Sequence, residues 1–320
     1  MSAGLAALVA PGSSPAQQPA APGSLAALIR SAAQPIRLDE GDHRDIVAAA
    51  AGSDRILLGE STHGTHEYYR ERARLTERLV RDHGVRAVAI EGDWTPTFRV
   101  NRYVRGLGTD RSAAEALQGY AKFPQWMWRN AEFRDLVERL RAINLTRAPQ
   151  DRVGVYGMDV YDLFDAADAV TAHLDKADRA AAARVRKHYR CFAGYRRSIE
   201  AYAAALHRLA RPCRAPAEAA LREVERLPAL AEPVAAEQRF AAIRAAASVA
   251  SSEAYFRASA TGSYSWNLRD QQMEKNVEAI AGHAQALSGK PAKVVVWAHN
   301  SHVGDARATD AAARGELNLG

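Results

Sequence analysis

The fold is indicated most directly by residues 56–67, which read Ile56-Leu57-Leu58-Gly59-Glu60-Ser61-Thr62-His63-Gly64-Thr65-His66-Glu67. A short apolar run comes first, a turn with two glycines follows, and a helical stretch then extends to about His83. A strand that passes through a tight turn into a helix is the repeating unit of folds with a parallel sheet.

The same alternation recurs later in the chain. Apolar runs rich in β-branched residues lie at residues 85–90, 153–156 and 293–297, and helical spacing separates them. We therefore predict an α/β fold with a mostly parallel sheet flanked by helices.

Composition divides the chain into parts. Residues 1–35 are rich in Ala, Pro, Ser and Gln and predict a flexible extension, with brief helices at Leu5–Val9 and Leu25–Ile29. Residues 36–320 are expected to form the α/β domain. Within it, residues 162–287 are rich in Ala, Arg and Glu, which predicts a helical insertion or cap.

The overall composition excludes several classes of protein. Of the 320 residues, 48% are hydrophobic and 25% charged, as in ordinary globular proteins. The formal net charge of +6 suggests an anionic partner, but arginines and acids alternate along the helices, which argues against nucleic-acid binding. No apolar run reaches the roughly 20 residues of a membrane span, and the N-terminus lacks the features of a signal peptide. With Cys191 and Cys213 expected to be free thiols, we predict a cytoplasmic protein.

An ionisable residue marks the end of each apolar run. These residues are Glu60, Glu91, Asp159 and His299. One such residue often does no more than show where a strand stops. Four acidic or imidazole groups are brought to one edge of a parallel sheet, where such folds bind ligands, and this indicates a functional edge.

His63 is the strongest candidate for a general base. Its unperturbed pKa lies near 6.5, and Glu60 is close enough in sequence to orient its ring. The same segment is also typical of a helix N-terminus capped by Thr62 or Thr65. The two interpretations are compatible.

Arg72 occupies an unusual place on the helix that follows. Helical spacing puts it on one face with Tyr68, Leu75 and Leu79. A charge on an apolar face needs a partner or a ligand, so we favour a site role. The alternative is an arginine at the edge of the face whose charged group reaches solvent.

The histidines also permit a metal or haem site. His63 with His66, and His299 with His302, form two H-x-x-H pairs, but neither matches the H-E-x-x-H of zinc-binding helices. The sequence contains no G-x-S-x-G, so a serine nucleophile elbow is absent. It also contains no G-x-G-x-x-G and no G-x-x-x-x-G-K-[ST]. An acid–base site without such a nucleophile indicates water as the attacking group.

The order and spacing of these motifs, from about residue 40 to the end, resemble the erythromycin esterase family. The residues that carry the resemblance are Gly59-Glu60-Ser61-Thr62-His63-Gly64, Arg72, Ala89-Ile90-Glu91-Gly92-Asp93, Gly157-Met158-Asp159, Asn267-Leu268-Arg269-Asp270 and Ala298-His299-Asn300-Ser301-His302. The resemblance implies hydrolysis of a macrolide-like ester or lactone by an activated water, with no metal and no cofactor, and hence a role in antibiotic resistance.

Carried over to this sequence, the family's site makes His63 the general base and Glu60 its orienting partner. Arg72, Glu91 and His299 complete the catalytic set, with Arg72 or His299 stabilising the oxyanion. We expect His66, Asp159 and His302 to contact a small-molecule ester substrate. Family chains usually continue past the last histidine strand, so we expect either a shortened copy or a fragment of a longer sequence. A metal- or haem-binding protein and a non-catalytic binding module remain the alternatives.

Overall fold

The computed structural model describes residues 23–33, 43–195, 197–206, 208, 212–262 and 264–320. The strands are β1 (Arg55–Glu60), β2 (Val85–Asp93), β3 (Gly154–Asp159) and β4 (Lys293–His299). The helices are α1 (Leu25–Ala32), α2 (Arg44–Ala51), α3 (His66–Asp82), α4 (Trp94–Val104), α5 (Ala113–Ala116), α6 (Ala131–Leu145), α7 (Leu163–Ala177), α8 (Arg179–Tyr189), α9 (Ile199–Leu206), α10 (Arg214–Glu225), α11 (Pro233–Ala260), α12 (Ser265–Ser288), α13 (Asn300–Val303) and α14 (Asp310–Ala313).

The chain divides into two units. The first unit comprises residues 1–42, and its described part contains α1. This helix follows its N-cap residue Ser24, and none of its residues is buried. The predicted helix at Leu25–Ile29 lies within α1, whereas the one at Leu5–Val9 falls outside the described residues. The domain boundaries given above, including the flexibility of residues 1–35 and the helical insertion, remain predictions.

The second unit, residues 43–320, is built on a parallel sheet with strand order β1-β4-β2-β3. Strand β4 therefore lies between β1 and β2, although it comes last in the sequence. Its pairing with β1 aligns Glu60 with His299, and the pairing of β2 with β3 aligns Asp93 with Asp159. The register brings Glu60, His299 and Asp159 to one edge of the sheet, and Glu91 lies at the same edge, two residues before Asp93 on β2, as predicted. The α/β class is confirmed.

Helices cover both faces of this sheet. In β4, Val294 and Val296 pack into one core together with α7, α11 and α12, while Val295 and Trp297 pack into the other with α3 and α6. Alternating residues of one strand thus pack into two different cores. This is why the strands appear in the sequence as continuous apolar runs.

The predicted element bounds need small corrections. All four strands extend past the apolar run, so that Glu60, Glu91, Asp159 and His299 lie within the last residues of strands and do not follow them. The segment after α4 contains a single helical turn, α5, followed by a short 3-10 helix at Leu117–Gly119. Both cysteines are free, and Cys213 is buried while Cys191 is partly exposed. Of the described helices, none is both long and apolar enough to cross a bilayer.

Gly157 sets the spacing of β2 and β3 next to the candidate site. A Cβ atom there would lie 2.4 Å from the carbonyl oxygen of Asp93 and 2.5 Å from that of Gly92. Because both contacts are with backbone, a strand must move to relieve them. We expect Gly157→Ala to lower the free energy of unfolding by about 1–3 kcal/mol in urea titrations.

Gly282 provides the matched control for this prediction. It is exposed on α12, and a Cβ atom there meets nothing within 4 Å. Gly282→Ala should therefore raise stability by roughly 0.5–1 kcal/mol through helix propensity. Equal effects of the two substitutions would show that the β2–β3 approach at Gly157 is not tight.

Candidate functional site

The turn between β1 and α3 places His63 beside Glu60. Gly64, with φ +82°, makes the left-handed turn that lets the chain enter α3. His63 Nδ1 lies 2.7 Å from Glu60 Oε1. Because an ionised carboxylate can only accept a hydrogen bond, Nδ1 carries the proton and the lone pair resides on Nε2. The hydrogen bond that His63 donates to Glu60 raises the pKa of His63, although burial acts to lower it.

Arg72 lies behind Glu60. Its Nη2 donates to Glu60 Oε2 at 2.7 Å, and its side chain is 4% exposed. The guanidinium stacks on the rings of Tyr69 and Trp297, 4.6 Å from each centroid. The arginine therefore does not reach solvent, and its partner is Glu60. We assign it a positioning role, because it is not among the residues that line the cavity described below.

One detail of the predicted apolar face of α3 was wrong. Tyr68 is 37% exposed and shares a hydrogen bond of 2.6 Å with the hydroxyl of Ser61. The buried aromatic residue is its neighbour Tyr69. Thr65 is the N-cap residue of α3, but its side chain makes no capping hydrogen bond.

His299 is held in one tautomer at the end of β4. Its Nδ1 accepts the N–H of Ser301 at 3.2 Å, and its Nε2 lies 2.9 Å from the carbonyl oxygen of Ser61. Since a backbone N–H only donates and a carbonyl only accepts, Nε2 bears the proton. The ring meets that of His63 edge-on, with 5.2 Å between centroids.

Arg269, on α12, binds the two carboxylates at the ends of β2 and β3. Its Nε and Nη2 donate to the two oxygens of Asp159 at 2.8 and 2.7 Å, and Nη2 also donates to Glu91 Oε1 at 2.7 Å. The other oxygen of Glu91 accepts the N–H of His299 at 2.8 Å. Burial acts to raise the pKa of Glu91, but His302, Arg269 and this N–H hold that pKa well below its usual range. Glu91 is therefore an ionised, fully bonded group.

His302 supports Glu91 from inside the protein. Its Nδ1 lies 2.9 Å from Asp270 Oδ1, its Nε2 lies 3.3 Å from Glu91 Oε1, and its ring stacks on Trp266. Burial acts to lower the pKa of His302, but Asp270 and Glu91 outweigh it and raise the pKa to about 9. The side chain is 2% exposed and does not line the cavity, so the structure gives no support to the expected substrate contact.

His66 is also separate from this group. Its Nδ1 lies 2.5 Å from Glu132 Oε1 on α6, and its side chain is 54% exposed. It does not line the cavity, so the expected substrate contact at His66 lacks structural support as well.

A cavity of about 340 Å³ opens at this edge of the sheet. His63 stands on one side of it, and carboxyl and aromatic groups line much of the rest. The polar and aromatic residues that line it include His63, Glu91, Asp93, Asp159, Asp162, Asp165, Arg269, Lys122, Tyr120, Tyr161, Phe123 and Trp128. Of the predicted site residues, the cavity is therefore lined by His63, Glu91 and Asp159. Glu60, Arg72 and His302 are buried behind this surface, and His299, which is partly exposed, contacts the ring of His63.

Several lining residues were not assigned a role from the sequence. Asp93 stands two residues after Glu91 in a motif already singled out, and Arg269 belongs to the segment Asn267–Asp270. Both residues therefore lie in motifs that the sequence displays. Trp128, whose Nε1 donates to the carbonyl of Glu91 at 3.1 Å, lies in a region without a recognisable motif. In the described ranges no three His, Cys, Asp or Glu side chains are arranged to hold a metal ion.

Comparison with known proteins adds two findings. The model of the erythromycin esterase family matches residues 80–320. Among solved structures, a succinoglycan biosynthesis protein superposes with a TM-score of 0.62 at 20% identity, over 86% of this chain and 65% of that chain. A protein from Bacillus cereus gives 0.60 at 18% identity, over 84% of this chain and 62% of its own.

A mutant of the erythromycin esterase EreC in its open conformation superposes with a TM-score of 0.51 at 17% identity, over 80% of this chain and 63% of that chain. At such identities the three likenesses establish a shared fold. In each case this chain spans less than two thirds of the length of the matched structure.

Proposed function

This chain belongs to the erythromycin esterase family, and from that premise we propose that it hydrolyses a carboxylic ester or lactone of macrolide-like type. The proposed nucleophile is a water molecule that His63 activates, with no metal and no cofactor. The observation that carries the proposal is the Glu60–His63 pair at the wall of the cavity.

The pair is arranged as a general base and its orienting group. Glu60 fixes the proton on Nδ1 of His63 and thereby leaves Nε2 free to accept a proton from water. Arg72 fixes the second oxygen of Glu60, so that the carboxylate cannot rotate away from the ring. No further nucleophile is needed, since the activated water attacks the ester carbonyl directly.

His299 is our candidate for stabilising the charge that develops on the carbonyl oxygen. Its Nε2 carries the proton and lies next to the ring of His63, and it donates to the carbonyl of Ser61. Exchange of that bond for one to the substrate would supply an oxyanion donor. This assignment takes the place of Arg72, which is buried behind Glu60.

A substrate panel tests the proposal. Alkyl esters, aryl esters and macrolactones are incubated with the protein before and after extended dialysis against a strong chelator. We expect cleavage of at least one ester or lactone at a rate that the chelator leaves unchanged. Restoration of a lost rate by zinc or manganese would replace the proposal with a metal-dependent mechanism. Binding without turnover would indicate a non-catalytic module.

The pH dependence should report the environment of His63. Since the hydrogen bond that His63 donates to Glu60 raises the pKa of His63, kcat/KM for an aryl ester should rise with pH through a value above the ordinary 6.5 or so of histidine. Stability should change with pH in the opposite direction. Because the pKa of His63 is higher in the folded protein than in the unfolded chain, His63 stabilises the fold at pH values below its unfolded pKa. This contribution is lost as the pH rises through the pKa of the folded protein. A rising limb below pH 6 or so would contradict the assigned role of Glu60.

A further inference from the structure

Asp93 differs from the other aspartates of the cavity in its partners. Asp159 is bound by Arg269, Asp162 accepts the N–H of Thr95 at 2.7 Å and the hydroxyl of Ser248 at 2.5 Å, and Asp165 pairs with Lys122. The carboxyl of Asp93 accepts one bond, from the N–H of Tyr161 to Oδ1 at 2.9 Å. Within the described ranges, no ion pair reaches it, and no hydrogen bond reaches its Oδ2.

The sheet places Asp93 across the cavity from the general base. Asp93 ends β2 and His63 follows β1, and both residues line the cavity. Because β4 lies between β1 and β2, the strand that ends at Asp93 and the strand that precedes His63 are two strand spacings apart, roughly 10 Å. That separation accommodates a water molecule, the ester carbonyl and the leaving oxygen in one row.

We propose that Asp93 is the general acid that protonates the leaving alcohol oxygen of the substrate. The inference rests on the hydrolase function proposed above and adds a second catalytic group to it. It also predicts the kind of substrate that depends on this group, namely an ester or lactone of an alkyl alcohol, whose alkoxide leaves poorly without a proton.

The surroundings of Asp93 favour its protonated form. Burial and the neighbouring carboxylates of Asp162 and Asp159 raise the pKa of Asp93 well above its usual range, while the Tyr161 N–H and Lys122 act against them. Lys122 is already paired with Asp165. Glu91, two residues earlier on the same strand, is ionised. The surroundings of these two carboxyl groups thus favour opposite protonation states.

The proposed steps balance as follows. A proton of water moves to Nε2 of His63 while the water oxygen bonds to the carbonyl carbon. The tetrahedral intermediate collapses, the bond between carbon and the alcohol oxygen breaks, and the proton of Asp93 Oδ2 moves to that oxygen. The proton on His63 then returns to Asp93 through solvent. The sum is ester plus water to carboxylic acid plus alcohol.

The test compares two esters of the same acid, one with an alkyl and one with a 4-nitrophenyl leaving group, in Asp93→Asn. Asparagine is neutral, as a protonated carboxyl is, so the fold should survive. We expect kcat/KM for the alkyl ester to fall by about 100-fold or more, as for loss of a general acid. For the nitrophenyl ester, whose nitrophenolate leaves without a proton, kcat/KM should fall by less than about threefold. Because a general acid must be protonated to act, the rate for the alkyl ester should fall at alkaline pH in the unaltered protein. This fall should be absent in Asp93→Asn.

Two further variants complete the design. Asp168→Asn removes an exposed carboxyl outside the cavity and should leave both rates unchanged. Asp93→Glu keeps an acid and should retain part of the alkyl-ester rate, which covers the case in which the asparagine variant does not fold. Equal effects of Asp93→Asn on both esters would overturn the inference while leaving the hydrolase function standing. Failure of the unaltered protein to cleave either ester would overturn both.

Discussion

Replacement of His63 by glutamine should lower the rate of ester hydrolysis by about 100-fold or more, the usual cost of removing a general base. Glutamine fills similar space and can still donate to Glu60, but it has no basic nitrogen to accept a proton from water. The protein should remain folded, because His63 is partly exposed in a turn and does not belong to either hydrophobic core. Circular dichroism and the urea midpoint check this second expectation.

His66→Gln is the matched control. Both histidines bond a glutamate through Nδ1, and they lie three residues apart, but His66 is outside the cavity and largely exposed. We expect its substitution to change kcat/KM by less than about twofold. If His66→Gln is as damaging as His63→Gln, or if His63→Gln retains full activity, the assigned base is wrong.

Replacement of Arg269 by leucine should cause the largest loss of stability. Arg269 is the cation bonded to both Glu91 and Asp159, and both carboxylates are buried. Removal of one member of a buried ionic group leaves its partners uncompensated, which typically costs about 3–5 kcal/mol. Activity should fall at the same time, since Glu91 and Asp159 form part of the cavity wall.

Two comparisons isolate the reason for this effect. Arg55 forms an equally short two-bond pair with Glu278, but in an exposed position, and Arg55→Leu should cost less than about 1 kcal/mol. Arg269→Lys keeps the charge but lacks the planar fork that binds Asp159 through two nitrogens, so an intermediate loss is expected. A loss below about 1 kcal/mol in Arg269→Leu would contradict the role of Arg269 as the required partner of this buried ionic group.

Local patterns predicted most of what lies on the sheet. The apolar runs identified all four strands, and the general rule for parallel sheets put Glu60, Glu91, Asp159 and His299 at one edge. The pairing of His63 with Glu60 also followed from local sequence, because only Ser61 and Thr62 separate them. These features depend on neighbours in the chain, which a sequence displays directly.

What the sequence did not reveal depends on contacts between distant segments. The strand order could not be read from it, and neither could the side of α12 that faces the strand ends. For that reason Arg269 appeared only as part of a motif, without a partner, and His302 was taken for a substrate contact. Its burial between Asp270 and Glu91 arises from the packing of α12 against β2 and β4. Arg72 was expected to need a partner, and the packing of α3 supplies Glu60.

The position of β4 affects how the protein must fold during synthesis. β4 emerges from the ribosome after the other three strands, yet it pairs with both β1 and β2. Until then, those two strands have unpaired apolar edges that can recruit other chains. Contacts such as that of Ser61 with His299, 238 positions apart, form slowly because a long loop must close first. Nascent chains stalled before Lys293 should therefore require chaperone protection, and the edge that carries the candidate site is incomplete until β4 is inserted.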